Sequence, residues 1–382
     1  MQNRLLAAPP KGWLLEESVP SGTIGTALAQ GPANPAHGCL SRLELEASTP
    51  SSSGAGEITG RPKSVIAVLA GGVGAAKFLR GLTNAGLDEE IVAIVNTGDD
   101  WTQYGLKICP DLDTITYTLA DLVNPKTGWG VRDETYRSRE TLLSLGDDPW
   151  FTLGDRDIGL HMYRTKLLAE GANLTQVTAK ISQKLDLSVT LLPMTNDEVG
   201  TKVLVQIPST DNEGDQLVEL DFQEYFVRYS HQPRVIRVRY QGIEVARPTM
   251  EVEQALLNAR RIVIAPSNPI LSIGPILALG GVGGQLRQRA ANGDVVAISP
   301  IIAGEAVKGP LAQILDSLMT QHDARIVAEL YREVTSQFVV DTADVALVDS
   351  INDMGLTALT TQTLMTDLDS AVKLARFAVT IP

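Results

Sequence analysis

Short, almost unbroken apolar stretches recur along this chain: Val65 to Ala70, Ile91 to Val95, Val189 to Leu192, Ile262 to Ala265 and Val295 to Ile298. Continuous rather than alternating hydrophobicity marks strands covered on both faces. The first stretch runs into Gly71, Gly72 and Gly74, then a helix-like segment from Ala75 to about Ala85, and the next strand follows Gly86. Strand, glycine loop, helix, strand predicts a parallel sheet with helices on both sides. Between Asp111 and Leu185 the pattern is mostly helical, with Trp129, Tyr136, Trp150 and Tyr163 interleaved, and this reads as an inserted helical cap. Val203 to Ile207, Val218 to Phe222 and Val235 to Tyr240 alternate polar with apolar around a turn at Asp211 to Gly214, so a small antiparallel patch is expected there. Near the C-terminus come a helix from Leu311 to Met319, a strand from Phe338 to Asp341 and a helix near Asp367 to Phe377.

The fold class expected is α/β: a Rossmann-like, doubly wound, mostly parallel sheet over 63–110, 186–210 and 255–382. The helical cap spans about 111–185 and the β patch about 203–240. Residues 1–62 are rich in Ala, Pro, Ser and Gly with no sustained period, and the reading there is a mobile extension outside the 63–382 domain.

Composition narrows the function. Of 382 residues, 44% are hydrophobic and 20% charged, enough to bury a sizeable core, and a formal charge of −13 gives no footprint for nucleic acid or an anionic membrane. An anionic ligand must therefore be held locally, by helix N-termini, placed cations or a carboxylate-bound metal. Two cysteines, Cys39 and Cys109, are too few for a disulfide framework or a thiolate zinc site. Pro9, Pro10 and Lys11 break the N-terminal apolar run, and no stretch is long and apolar enough to span a bilayer. The expectation is a cytoplasmic protein.

Ala70 to Lys77 lets the backbone turn sharply out of a strand and offers amides at a helix start. The spacing excludes a Walker loop, and Lys77 stands where a dinucleotide fingerprint has its third glycine. The second strand ends in Asn96-Thr97-Gly98-Asp99-Asp100, followed by Asp111 and Asp113. Carboxylates at that density repel unless compensated, and a hard divalent cation is the usual solution. Asp111 or Asp113 could alternatively cap the helix expected near Thr114. Gly128-Trp129-Gly130 puts an indole on a turn where it can stack on a planar ligand, while Arg132 and Arg156, flanked by acids, read as surface pairs. Ser267 and Asn268, then Ser299 and Lys308, lie in rigid loops at later strand ends, where such sheets read their ligands. No nucleophilic triad can be assembled from four histidines.

These segments in this order resemble the 2-phospho-L-lactate transferase family of deazaflavin coenzyme (coenzyme F-420) biosynthesis, whose actinobacterial members use phosphoenolpyruvate. The likeness runs from about Val65 to the C-terminus. It rests on the glycine loop, Asn96 to Asp100, Cys109 to Tyr117, Gly128 to Tyr136, Leu153 to Asp157, Ala265 to Pro275 and Ser299 to Pro310. The resemblance implies transfer of a phospho-three-carbon acid (phospholactate, phosphoenolpyruvate or phosphoglycerate type) from a guanosine-diphospho-activated donor to the ribityl hydroxyl of the deazaflavin Fo, releasing GMP, by a homodimer. On this reading Asp99, Asp100 and Asp113 hold Mg2+, and Asp100, with Asp113 second, serves catalysis. Gly71, Gly72, Val73, Gly74, Ala75, Lys77, Asn96, Trp129, Arg132, Ser267, Asn268, Ser299 and Lys308 bind the substrates. Where the family often has a histidine after the threonine of the Asn196 to Thr201 stretch, this chain has Lys202. Two alternatives remain at this stage: an NAD-dependent oxidoreductase, and a non-catalytic nucleotide-sensing regulator of the same fold.

Overall fold

The computed structural model describes residues 64–208, 215–306, 311–318 and 323–381. The 1–62 extension, the Asp211 to Gly214 turn and Lys308 lie outside the described residues. The chain opens with strand β1 (Val65–Ala70), helix α1 (Gly72–Thr83) and strand β2 (Glu90–Val95), the unit foreseen from the apolar pattern. A hairpin of two three-residue strands follows, β3 (Trp101–Gln103) and β4 (Leu106–Ile108), turning through Tyr104 and Gly105, both at positive φ. The stretch expected to be a helical cap holds α2 (Pro110–Leu119), which packs on the central sheet's core instead, then α3 (Arg137–Ser144), α4 (Asp155–Ala169) and α5 (Leu174–Lys184). After β5 (Thr190–Pro193) come β6 (Gly200–Ile207), β7 (Gln216–Asp221) and β8 (Arg234–Gln241), with a π-helical turn at Glu224–Arg228. These three strands form the antiparallel patch, in the order β7-β6-β8.

The remainder runs α6 (Met250–Asn258), β9 (Ala259–Ile264), a π-helical turn (Pro269–Ile273), α7 (Gly274–Ala278), α8 (Val282–Ala290) and β10 (Val295–Ile298). It continues through the short pair β11 (Ile301–Ile302) and β12 (Glu305–Ala306), then α9 (Leu311–Leu318), α10 (Ala324–Tyr331) and β13 (Gln337–Asp341). The chain closes with α11 (Val348–Asn352), β14 (Thr357–Thr361) and α12 (Leu368–Thr380). Seven strands form one sheet in the order β14-β13-β10-β9-β1-β2-β5, every neighbour parallel.

Alternate residues of each central strand enter opposite cores, which is why the strands read as continuous apolar runs. Ala67, Leu69, Val92, Ile94, Ile262 and Ile264 face α6, α8, α10 and the antiparallel patch. Ile66, Val68, Ala70, Ala93, Val95 and Val263 face α1, α2 and α12. The order of connection reverses at β1, which has β2 on one side and β9 on the other. A crevice therefore opens beyond the carboxyl ends of β1 and β9, between the glycine turn and the loop starting at Ala265. The two edges of that crevice are in tight contact: a Cβ on Gly74 would stand 2.2 Å from the Pro266 carbonyl oxygen.

Candidate active site

At the switch point lies a cleft of about 360 Å3. Its floor is Gly71, Gly72 and Gly74 after β1 and Pro266, Ser267 and Asn268 after β9. Asp99 and Asp111 stand on one wall, and Ser299 and Pro300 come from the end of β10. Trp129 from the cap and Phe222 and Phe226 from the antiparallel patch supply aromatic surface at the rim. Trp129 sits between Gly128 and Gly130, both at positive φ, and is 59% exposed, as the glycine-flanked indole predicts. Phe222 and Phe226 are stacked at 5.6 Å between ring centres. The patch's contribution was not foreseen, although the four-residue spacing of these two rings beyond β7 was a signal available in the sequence.

The four acids are divided between two environments. Positions two apart on a helix point about 200° apart, so Asp111 and Asp113, in the first turn of α2, face opposite ways. Asp111 faces the glycine turn. Its Oδ1 accepts from the Gly72 amide at 2.8 Å and its Oδ2 from Asn96 Nδ2 at 2.9 Å. Neither Asp111 nor Asp113 caps its own helix; Asp111 instead satisfies the first amide of α1. Burial pushes its carboxyl up to about 6 against the pull of those hydrogen bonds. Asp99 is buried beside it, with Oδ1 lacking any partner. Burial, then repulsion from Asp111 and Asp100, holds Asp99 well above the usual carboxylate range.

Asp113 turns instead to α4, where Arg164 grips both of its oxygens and His161 Nδ1 lies 3.6 Å away. Burial lowers the His161 pKa to about 4, so the ring is neutral. Asp100 joins this second group: Lys107 Nζ lies 3.6 Å from its Oδ2, and neither of its oxygens has a hydrogen-bond partner. Burial raises Asp100 to about 6, with Lys107 opposing. Among the described residues no three His, Cys, Asp or Glu side chains form a metal-binding group. Asp100 and Asp113 are not part of the cleft wall. The pair that shares the cleft is Asp99 and Asp111. Two carboxylates, one with an orphaned oxygen, suit a Mg2+ ion that keeps water and substrate phosphate oxygens as its other ligands.

The remaining expected site residues take varied places. Gly71, Gly72, Val73, Gly74, Lys77, Trp129, Ser267, Asn268 and Ser299 border the cleft. Asn96, fully buried, stands behind Asp111, and Ala75 faces the core on the α1 side. The side-chain oxygen of Asn268, Oδ1, accepts from the Ile270 and Leu271 amides and caps the π-helical turn. Ser267 donates to the Gly71 carbonyl at 2.9 Å, tying the two crevice loops together. Lys77 Nζ lies 2.9 Å from the Met365 carbonyl. Lys202 pairs with Asp221 on the antiparallel patch, outside the cleft. Arg132 borders an adjoining cavity.

The segments around Trp129 and Asp155 are interlocked. Glu134 Oε1 accepts from the Arg156 amide at 2.9 Å, at the start of α4. In return Asp155 accepts from the Ser138 and Arg137 amides at 3.0 and 3.1 Å, at the start of α3. These acids act on backbone amides of each other's helices rather than on the arginines beside them.

A doubly wound sheet with a glycine turn and a carboxylate pair at its switch point is the frame of an α/β enzyme that handles phosphate esters. A model of the family 2-phospho-L-lactate transferase CofD matches residues 66–368, and the chain belongs to that family. It is accordingly a phosphotransferase, of deazaflavin coenzyme biosynthesis, and the oxidoreductase and regulator alternatives are set aside. The phosphoenolpyruvate transferase of Streptomyces griseus is 39% identical over 82% of this chain and 97% of its own length. That of Thermobifida fusca is 41% identical over 73% of this chain and 87% of its own. The fold is also shared with a crystal structure of a Bacillus halodurans protein of the UPF0052 family, at a TM-score of 0.53, 16% identity and coverage of 83% and 100%. No single helix among the described residues is long and apolar enough to cross a membrane.

Proposed function

We propose that the chain transfers a phosphoenolpyruvate-type group from its guanosine-diphospho-activated form to the terminal ribityl hydroxyl of Fo. The hydroxyl oxygen bonds to the β-phosphorus, the bond from that phosphorus to the bridging oxygen breaks, GMP leaves, and the hydroxyl proton is lost. The observation that carries this reading is the cleft pair Asp99 and Asp111, with Asp99 Oδ1 buried and unpartnered beside the glycine turn. Asp99 and Asp111 would hold Mg2+, which would supply positive charge against the diphosphate. Asp111 orders the entry of α1 through the Gly72 amide, and Asn96 fixes Asp111 in turn. Asp99, at the cleft wall, takes the place that the sequence reading gave to Asp100 and is positioned to orient the attacking hydroxyl or accept its proton. Trp129, Phe222 and Phe226 offer the planar apolar surface that a tricyclic acceptor requires. The names of the similar transferases favour phosphoenolpyruvate over the other three-carbon acids.

The test is calorimetric titration of the purified protein with GDP and with Fo, with and without Mg2+, beside an assay of GMP release. Mg2+-dependent GDP binding and Fo-dependent GMP release are expected. Full activity in excess EDTA, or wild-type turnover in both Asp99→Asn and Asp111→Asn, would remove the reading.

A further inference from the structure

The cleft adjoins a second cavity, also of about 360 Å3, and Val73, Lys77 and Met365 line both. Gly128 borders the second and Trp129 the first, so the tip of the indole loop forms part of the partition. Charge is divided across it. The first cavity has two acids, Asp99 and Asp111, against Lys77. The second has Lys77, Arg80 and Arg132 against Asp121 and Asp367. Val73, Lys77 and Arg80 follow the i, i+4, i+7 spacing of one helical face, and Arg132 comes from the cap.

The two acids of the second cavity are already engaged. Asp121 Oδ1 lies 3.0 Å from Arg80 Nη2 and 3.5 Å from Arg132 Nη2, so one carboxylate serves two guanidinium groups. Arg132 also donates to the Asp121 carbonyl at 2.9 Å. Asp367 is occupied at the start of α12, accepting from the Ser370 amide at 2.8 Å. The cavity wall is therefore electropositive in a chain of net charge −13, and its cations begin at Lys77, where the two cavities meet.

We propose that this second cavity receives the carboxylate of the three-carbon acid, held by Lys77 and Arg132, while Arg80 keeps Asp121 from repelling it. The inference rests on the transferase reading and adds to it the residues that recognise the acid. In such an acid the carboxylate carbon is only three bonds from the phosphorus (P–O–C–C), so it must lie close beside the reacting centre. A cation at the junction of the cavities meets that requirement. Charge-assisted hydrogen bonds from guanidinium and ammonium groups select a carboxylate over its neutral amide.

The experiment compares three probes by calorimetry in Mg2+: GDP, guanosine-diphospho-activated lactate, and the same compound with its carboxylate converted to the carboxamide. Wild type should prefer the carboxylate to the carboxamide by about ten- to a hundredfold, the range expected of a charged hydrogen-bonding pair. Lys77→Met and Arg132→Gln should bring the preference towards unity, losing more affinity for the carboxylate compound than for its carboxamide. Lys77→Arg should keep it, and melting curves of each variant check folding. Equal binding of the two compounds by wild type, or an undiminished preference in both neutral variants, would overturn the proposal. Failure of wild type to bind GDP at all would instead overturn the transferase reading, and this assignment with it.

Discussion

At the scale of single residues, the sequence made the acids conspicuous but not their directions. Four carboxylates in fifteen positions signalled uncompensated charge, and which of them meet depends on where α2 begins. The helix starts at Pro110 rather than near Thr114, which sends Asp111 to the cleft and Asp113 to Arg164. The partner of Asp113 lies 51 residues away, beyond any local pattern. The two environments predict opposite mutant behaviour. Asp113→Asn leaves Arg164 buried without its counter-charge and should cost about 3–5 kcal/mol in thermal unfolding. Asp99→Asn removes a carboxylate from a repelling pair, so the metal-free protein should melt no lower than wild type, while transfer falls by about a hundredfold or more. Acidity gives a further expectation. Asp100, Asp111 and Asp157 are each raised to about 6, mainly by burial. A carboxyl raised on folding binds more protons in the folded state, so these groups lose stability as pH climbs towards and through about 6. His161, lowered to about 4, works oppositely and loses stability as pH falls from 6.5. The acids outnumber it, so metal-free protein should melt higher at about pH 5.5 than at about pH 7.5, and Asp111→Asn should narrow the difference. A melting temperature that rises steadily across that interval would refute the assignment.

At the scale of elements, strands buried on both faces were legible because their composition is continuous, and β1 and β10 begin and end where the apolar runs do. The β3 and β4 hairpin was not, because three-residue strands are too short for any period to register. Nor was the interlock of α3 and α4: Arg132 does form a surface ion pair, with Asp121, whereas Glu134 and Asp155 accept from backbone amides across about twenty residues of chain. Gly154 is part of that device, since a Cβ there would stand 2.1 Å from Glu134 Cγ, although its φ of −76° suits any residue. Gly154→Ala should therefore reproduce Glu134→Ala, each losing on the order of 1 kcal/mol as a helix start is left uncapped. Faster amide exchange at Arg156 and Asp157 in both variants is the measurement that checks it. Unchanged exchange would mean that water replaces the glutamate at no cost.

At the scale of the whole molecule, the order in which strands are laid down creates the site. β1 is flanked by β2 and by β9, so the glycine turn and the loop starting at Ala265 meet although nearly two hundred residues separate them. That meeting follows from the doubly wound class, and the class was readable from strand, glycine turn and helix in succession. The placement of the antiparallel patch at the cleft rim was not, because nothing local in β6 to β8 specifies which end of the sheet they cover. A working unit that begins near residue 63 is the expectation at this scale. β1 begins at Val65, the family match begins at residue 66, and every residue named in the cleft follows Ala70. The sequence of the preceding segment shows no sustained apolar period. A variant beginning at Lys63 should therefore keep its melting temperature within about 2 °C of the full chain, since a lost packing contact of even 1 kcal/mol would move it by about that much. Transfer by this variant should equal that of the full chain. A drop of many degrees, or loss of transfer with melting unchanged, would show that the first sixty residues pack on the domain or reach its cleft, and would move the boundary towards the N-terminus.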